Sequence, residues 1–558
     1  MSERRIDHAV QRAAAALQAP RETIVRDKDP VTADALPSAS LSPQYSAIPG
    51  DHHSTQEAGA CTTENADGVI LESDDAQAHE LSLQELDMSV LSYSPPGCDD
   101  VALFVGSPYD SFLETMETTL VRHYLQVVCK MSSNFDSPRN PFRACLFPTF
   151  TNSKLLYEAV LSMSAAHLAT QQQYLLVTAI EHQSAAVTIL NTALTKQCTL
   201  VTDELMLGVI LLAMTSSWHD PSVLGTSHLH GARTMFKIWL EQRDRIVENH
   251  AVDHSFIFGA MIYQEAVFSF VTDNSADELD YLDDCYQWLG SMDTLPNPWT
   301  GICTPLFITL ARVGNLVRRW RTILRTMSAI RSTDIRQRIT LEFLLEASEL
   351  EEEVLRSSVS SGSKKHETYD ECTPPSHLQK LAECYKLATL LELYRTFPAL
   401  LPAHQDKVSN AQPRTASDEI IYEMAIAILT VLYDMPEDSG TRATQVLPLI
   451  IAGCALPASG PGSFADTEDR ATPLRSELSR ILTGPPVVNR WRGFVRARLD
   501  HISRYVALRC VEYAATLVEA VWIRMDGCQS PNGSLRGNKP HCHWIDVMSD
   551  CGLSTTFG

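Results

Sequence analysis

Few residues of this 558-residue chain have the type and spacing to hold a metal or move a proton. The tightest knot is His541-Cys542-His543, with Cys551 following at a distance. Imidazole and thiolate bind transition metals, but structural zinc takes four ligands, usually as close pairs. Here only one knot exists. The 14 cysteines are otherwise scattered, Cys542 and Cys551 being the closest two, and no C-x-x-C occurs. His228 and His230 stand in SHLHGAR, with His219 upstream. Alternate residues do not share a helix face, so these two cannot reach one metal from a helix. A buried or capping role is expected for them, and neither a metal site nor a cofactor is assigned.

Asp280, Asp283 and Asp284 in ELDYLDDCYQW have a passing likeness to the acid-rich metal motif of terpene-cyclase-like enzymes, which are also all-α. No second such motif follows, and a solvated acidic face is the simpler reading. A basic run holds Arg318, Arg319, Arg321, Arg325, Arg331, Arg336 and Arg338. Glu342, Glu346, Glu349, Glu351, Glu352 and Glu353 come directly after it. Opposite charge blocks on neighbouring helices pair or stay solvated, and no base-reading pattern accompanies the arginines. No phosphate loop, nucleophile elbow or H-E-x-x-H is present. No catalytic residue is assigned, and the chain reads as a non-enzyme.

The elements around these residues fall into two parts. Between Lys28 and Arg122 there is no lysine or arginine, while 17 acids supply most of the formal net charge of -23. Such a segment repels itself and has little apolar surface to bury, so residues 1–107 are expected to be a disordered acidic arm. Residues 1–20 within it could form a short Ala-rich helix ended by Pro20. One apolar cluster interrupts the arm: Leu81, Leu83, Leu86, Met88, Val90, Leu91 and Tyr93, interleaved with Glu80, Glu85 and Asp87. This is the composition of an amphipathic activation segment that folds against a partner, with Leu83, Leu86, Met88 and Leu91 as its anchors. A solvated linker with one sticky patch is the other reading, and composition does not choose between them.

From residue 108 to 558 the expected fold is all-α, one large multi-helix domain of about a dozen helices. Leu120, Tyr124, Val127 and Met131 fall on one helix face, as do Leu156, Ala159, Val160 and Met163. Leu378, Leu381, Tyr385, Ala388 and Leu391 repeat the spacing, and so do Tyr505, Leu508, Val511, Ala515, Val518 and Trp522. Proline-marked turns at Pro138, Pro141, Pro221, Pro298, Pro374-Pro375 and Pro485-Pro486 separate the helices. Residues 357–376 and 456–473 read as surface loops. The N-terminus lacks the apolar core of a secretory signal, and the apolar stretch 206–218 is too short to span a bilayer. An intracellular protein with reduced, mostly buried thiols fits.

Residues from about 112 onward resemble the regulatory domain of fungal transcription factors of the zinc binuclear cluster class. The matching pieces occur in order: LVRHYLQVVCKMSSNFDSPRNPFRACLFPTF, LLYEAVLSMSAAHLA, ELMLGVILLAMTSSW, SHLHGARTMF, CYKLATLLELYRTFP, LVEAVWIRMD and HWIDVMSDCGLSTTFG. His228, Gly231 and Ala232 match a recurrent H-x-x-G-A element. The resemblance implies a nuclear regulator of transcription, with the transcription machinery, a DNA-binding protein or a small-molecule effector as partners. The class usually opens with six closely spaced cysteines holding two zinc ions, whereas the first cysteine here is Cys61. DNA binding is therefore expected to be indirect, unless an upstream exon carries the cluster. An all-α enzyme and a helical scaffold without a transcriptional role are the competing readings; none of the three involves a membrane.

Overall fold

The computed structural model describes residues 115–557 except 197–199, 244–253, 292–295, 358–366, 402–412, 458–484 and 528–541. The arm, with Leu83, Leu86, Met88 and Leu91, lies outside the described residues. All the described residues belong to one compact unit. They are helical, and the only strand-like pairing among them is an isolated bridge between Asn297 and Gly301.

Sixteen α-helices follow in chain order among the described residues, the three-residue segment Cys129–Met131 being counted as the end of α1. They are α1 (Met116–His123), α2 (Phe147–Phe150), α3 (Lys154–Ala169), α4 (Leu175–Lys196), α5 (Asp203–His219) and α6 (Thr226–Arg243). Next come α7 (His254–Phe268), α8 (Leu282–Ser291), α9 (Thr304–Met327), α10 (Thr333–Arg356) and α11 (Pro375–Thr396). The last are α12 (Pro413–Tyr433), α13 (Val446–Gly453), α14 (Pro485–Val506), α15 (Arg509–Gly527) and α16 (Trp544–Asp550). Helices α11 and α14 begin at the expected prolines, where the missing N–H costs nothing.

Three helices have no polar face. Every residue from Phe256 to Phe268 of α7 is buried, as are all of α13 and most of α5. A helix apolar all round must be covered all round. Helix α7 is accordingly packed against α5, α8 and α9, and α13 against α11, α12, α14 and α15. Gly259 lets α7 come close to the 297–301 turn, since an added Cβ would overlap the Asn297 amide.

Two expected helix faces are corrected. Helix α1 runs into a π-turn, Tyr124–Val128, before ending at Cys129–Met131. The extra residue per turn advances the register, so Val128 and Cys129 are buried and Val127 is only half-buried. The second face, 505–522, is not one helix: Ala507 has φ 51°, which ends α14 and starts α15 at Arg509. Left-handed backbone is costly for alanine, and no glycine or proline signals the break.

One ionised pair lies inside the core. Glu265, on α7, is fully buried and receives Arg233 of α6 in a fork, Nε to Oε1 at 2.6 Å and Nη2 to Oε2 at 2.7 Å. Tyr281 donates to Oε1 at 2.5 Å, and Arg233 also donates to Glu278 (2.5 Å) and Asn274 (3.3 Å). Burial opposes the Arg233 charge, but Glu265 outweighs it and the guanidinium pKa is raised. Removing one partner leaves an uncompensated buried charge. Arg233→Met is expected to cost about 3–5 kcal/mol in urea unfolding. The double variant Arg233→Met with Glu265→Leu should recover a large part of that loss.

Candidate functional site

A cavity of about 50 Å³ lies between the helices. Its walls come from the end of α1 (Met131, Ser132, Ser133), from α5 (Met214, Trp218), α7 (Tyr263) and Trp299. Thr444 before α13, the α14–α15 joint (Val506, Leu508), Cys510 and Phe557 complete it. The space exists because helices end there: α1 stops at Met131, and the Ala507 break parts α14 from α15.

The walls are held firmly. Trp299 stacks between Phe256 (centroids 5.4 Å apart) and Tyr263 (5.9 Å). Fully buried Asn134 donates to the Trp299 carbonyl (2.8 Å) and accepts from Thr444 Oγ1 (2.7 Å), tying three wall segments together. The polar groups reaching the cavity are neutral. Burial pushes the Cys510 thiol up to about 12 and raises the Tyr263 phenol well above its ordinary range. The Ser132 hydroxyl is buried without a partner. Such a lining suits an uncharged molecule with a hydrogen-bonding group, since a buried unpaired ion would be costly there.

Phe557 is the link to a second constellation. The 552–557 segment enters the core, with Thr556 Oγ1 2.7 Å from Ser217 Oγ and Phe557 edge-on to Trp544 at 6.1 Å. Trp544 opens α16 and donates to fully buried Glu392 of α11 at 2.7 Å. His543 caps α16 by accepting from the Ile545 N–H through Nδ1 (3.3 Å), which leaves Nε2 facing Glu392 at 3.3 Å. Arg395 donates to the carbonyls of Cys454 (2.9 Å) and Cys542 (3.0 Å). Asp546 pairs with Arg321 and with Arg325 (3.2 Å), and Asp550 pairs with Arg524 (2.8 Å).

These contacts place most of the residues that the sequence singled out. Three arginines of the basic run, Arg318, Arg321 and Arg325, clasp α16. Of the pairings expected with the following acids, Arg319–Glu346 (2.9 Å) forms, while Arg321 and Arg325 reach some 220 residues further along the chain. Arg318 pairs with Asp273 (2.8 Å) and donates to Ser549 Oγ (3.3 Å). Asp280, Asp283 and Asp284 are exposed, and Asp283 pairs with Arg312, so they do not face a cavity together. His228 is half-buried and His230 exposed within α6, against the expected buried or capping role; His543 is the histidine that caps. His541 lies outside the described residues. Among the described residues, no group of three or more His, Cys, Asp and Glu side chains is placed to hold a metal ion. Nor is any helix there long and apolar enough to cross a membrane.

Arg233 and Glu392 escaped the sequence reading. Arg233 directly follows the H-x-x-G-A element, and Glu392 sits within the apolar run LATLLELY. A lone charge amid apolar residues was the available signal for each.

The described residues form an all-helical body that encloses this cavity. Residues 119–558 match the fungal-specific transcription factor domain, and the chain belongs to that family. It is therefore a transcription regulator of the fungal type. No curated protein and no solved structure matches the chain.

Histidine titration bears on the stability of this region. Burial lowers His219 to about 4 and also lowers His167 and His543. For Glu392, burial opposes ionisation, but His543 and Arg395 hold its pKa below the ordinary value. Each group binds a proton more readily in the unfolded chain, so stability is full above about pH 6.5 and falls as the pH drops toward 4. The His219 part alone is on the order of 3 kcal/mol. Thermal melts from pH 7 to 4 should show a steady fall in Tm, and His219→Asn should flatten it.

Proposed function

We propose that this chain is a nuclear regulator controlling a metabolic or biosynthetic gene cluster, with 1–107 as activation arm and 108–558 as regulatory body. The observation that carries it is the match of 119–558 to a transcription factor domain. The gene-cluster assignment extends the family resemblance. Recruitment to DNA goes through a partner protein: the net charge is -23, and arginines of the basic run are engaged by Asp273, Glu346 and Asp546. Free basic groups are what phosphate contacts require.

The arm contributes Leu83, Leu86, Met88 and Leu91 as spaced anchors for a groove on the transcription machinery. Fused to an unrelated DNA-binding domain, residues 1–107 should activate a reporter. Replacing the four anchors with alanine should abolish the output, and neutralising Glu80, Glu85 and Asp87 should reduce it less. A silent fusion rejects the activation role, and residence of the full chain wholly outside the nucleus favours a scaffold.

The body takes a small effector in the Tyr263 cavity, a neutral molecule with one hydrogen-bonding oxygen. The cavity accommodates roughly three to five water-sized groups. Saturation-transfer NMR on the full chain should detect isobutanol but neither isobutyrate nor isobutylammonium. Tyr263→Phe should weaken isobutanol binding by about three- to tenfold. Equal response to all three probes, or no effect of the substitution, removes the effector from this cavity.

A further inference from the structure

One stretch of the cavity wall is held more loosely than the rest. The chain leaves α16 at Gly552, in left-handed backbone (φ 63°), and the Leu553 N–H closes the turn on the Met548 carbonyl at 2.9 Å. From Ser554 to Phe557, no backbone N–H or carbonyl has a hydrogen-bond partner among the described residues. The stretch nonetheless lies inside the protein. Thr555 is fully buried, and its hydroxyl has no partner either. Thr556 and Phe557 are also buried. Among the described residues, the Thr556–Ser217 contact at 2.7 Å is the one hydrogen bond that holds this stretch. The other wall residues sit in helices or in turns tied by hydrogen bonds, as Trp299 is through Asn297 Oδ1 (3.0 Å).

Buried backbone groups in folded proteins are almost always paired. An unpaired one forfeits its bonds to water and gains none in return. Release of 554–557 into solvent would restore those bonds, and it would also expose the Phe557 ring. Apolar burial therefore holds the segment in while desolvation pushes it out. A helix meets no such opposition. Closed and open arrangements of a segment balanced in this way lie close in free energy, and a ligand that favours one shifts the population.

A replacement for Phe557 tips that balance. Its ring stands in the cavity wall, edge-on to Trp544 at 6.1 Å. When the segment leaves, the space of that ring joins the existing cavity. The enlarged site suits a molecule that carries an aromatic ring beside the neutral oxygen. Trp544 then meets a ring where it met one before, and the freed backbone regains water.

We infer that residues 553–557 form a displaceable strap, and that the effector is a neutral aromatic alcohol or phenol whose ring takes the place of Phe557. The inference rests on the effector reading of the cavity and adds the ligand class and the change that binding produces. Benzyl alcohol is the probe, beside isobutanol, which leaves the Phe557 ring in place. Hydrogen–deuterium exchange of the full chain should rise about tenfold on peptides covering 553–557 with saturating benzyl alcohol, while α7 stays protected. Isobutanol should leave that exchange unchanged. Ser217→Ala removes the hydrogen bond of the strap at a residue outside the cavity wall. It should raise strap exchange about three- to tenfold and tighten benzyl alcohol by the same factor, because opening then costs less. Its isobutanol affinity should not change. Benzyl alcohol bound with the strap still protected overturns the inference, as does a Ser217→Ala affinity equal to that of the wild type. Isobutanol binding without benzyl alcohol binding overturns it too, and leaves the effector reading of the cavity intact. Silence of both probes removes that reading and this inference together.

Discussion

A helix with no polar face sets the terms for the rest of the body. From Phe256 to Phe268, α7 buries every residue, including Glu265 and Gln264. Such a helix cannot lie at the surface without exposing a large apolar area, so the chain must surround it. The amphipathic helices around it exist to do this. Helix α9 gives one half, Leu306 to Trp320, to the core and the other half to arginines. Glu265 is the exception within α7 and makes the arrangement specific. Its carboxylate is tolerable only where Arg233 and Tyr281 reach it, which fixes the rotation of α7 against α6 and against the segment leading into α8. Apolar packing alone leaves that rotation loosely determined; a fork of charge-assisted hydrogen bonds does not.

The same logic closes the far end of the chain. Helix α16 is only seven residues long, too short to be stable alone. It holds because Trp544, Ile545, Val547 and Met548 are buried while Asp546 and Asp550 meet arginines of α9 and α15. Ion pairs on an exposed surface contribute little, so the burial of Trp544 over Phe270 and its bond to Glu392 carry most of the attachment. The 552–557 segment then brings Phe557 into the cavity wall. Whatever fills the cavity therefore touches the segment that anchors the C-terminal helix.

Periodicity made the helical class legible, because 3.6-residue spacing of leucine, alanine and tyrosine is a local property. The faces of α3 and α11 came through intact: Leu156, Ala159, Val160 and Met163 are buried, and so are Leu378, Leu381, Tyr385, Ala388 and Leu391. Where the backbone departs from ideal geometry, the pattern misleads. The π-turn at Tyr124–Val128 and the left-handed Ala507 carry no glycine or proline to announce them, and tertiary contacts impose them. Charge pairing was legible only between neighbours. Arg319 finds Glu346 across one turn of chain, whereas Arg321 finds Asp546 across the fold, and no local pattern encodes that. The cavity was not legible at all. Its lining comes from seven separated segments and includes no motif.

Cavities of this kind arise where regular structure stops. A continuous helix presents an even surface that neighbours can fill to native density. A helix end presents carbonyls, a turn and a change of direction that side chains cover less evenly. Here the end of α1 and the α14–α15 joint line the same space as Tyr263, and the stacked Phe256–Trp299–Tyr263 rings stiffen its wall. Tyr263 is thereby held in the wall of a space that the fold does not fill. A void of this type costs stability through lost dispersion contacts, and a larger apolar side chain in place of Ser132 would relieve part of that cost. Ser132, Thr444 and Cys510 bring neutral polar groups to that space, which a purely apolar packing defect would lack.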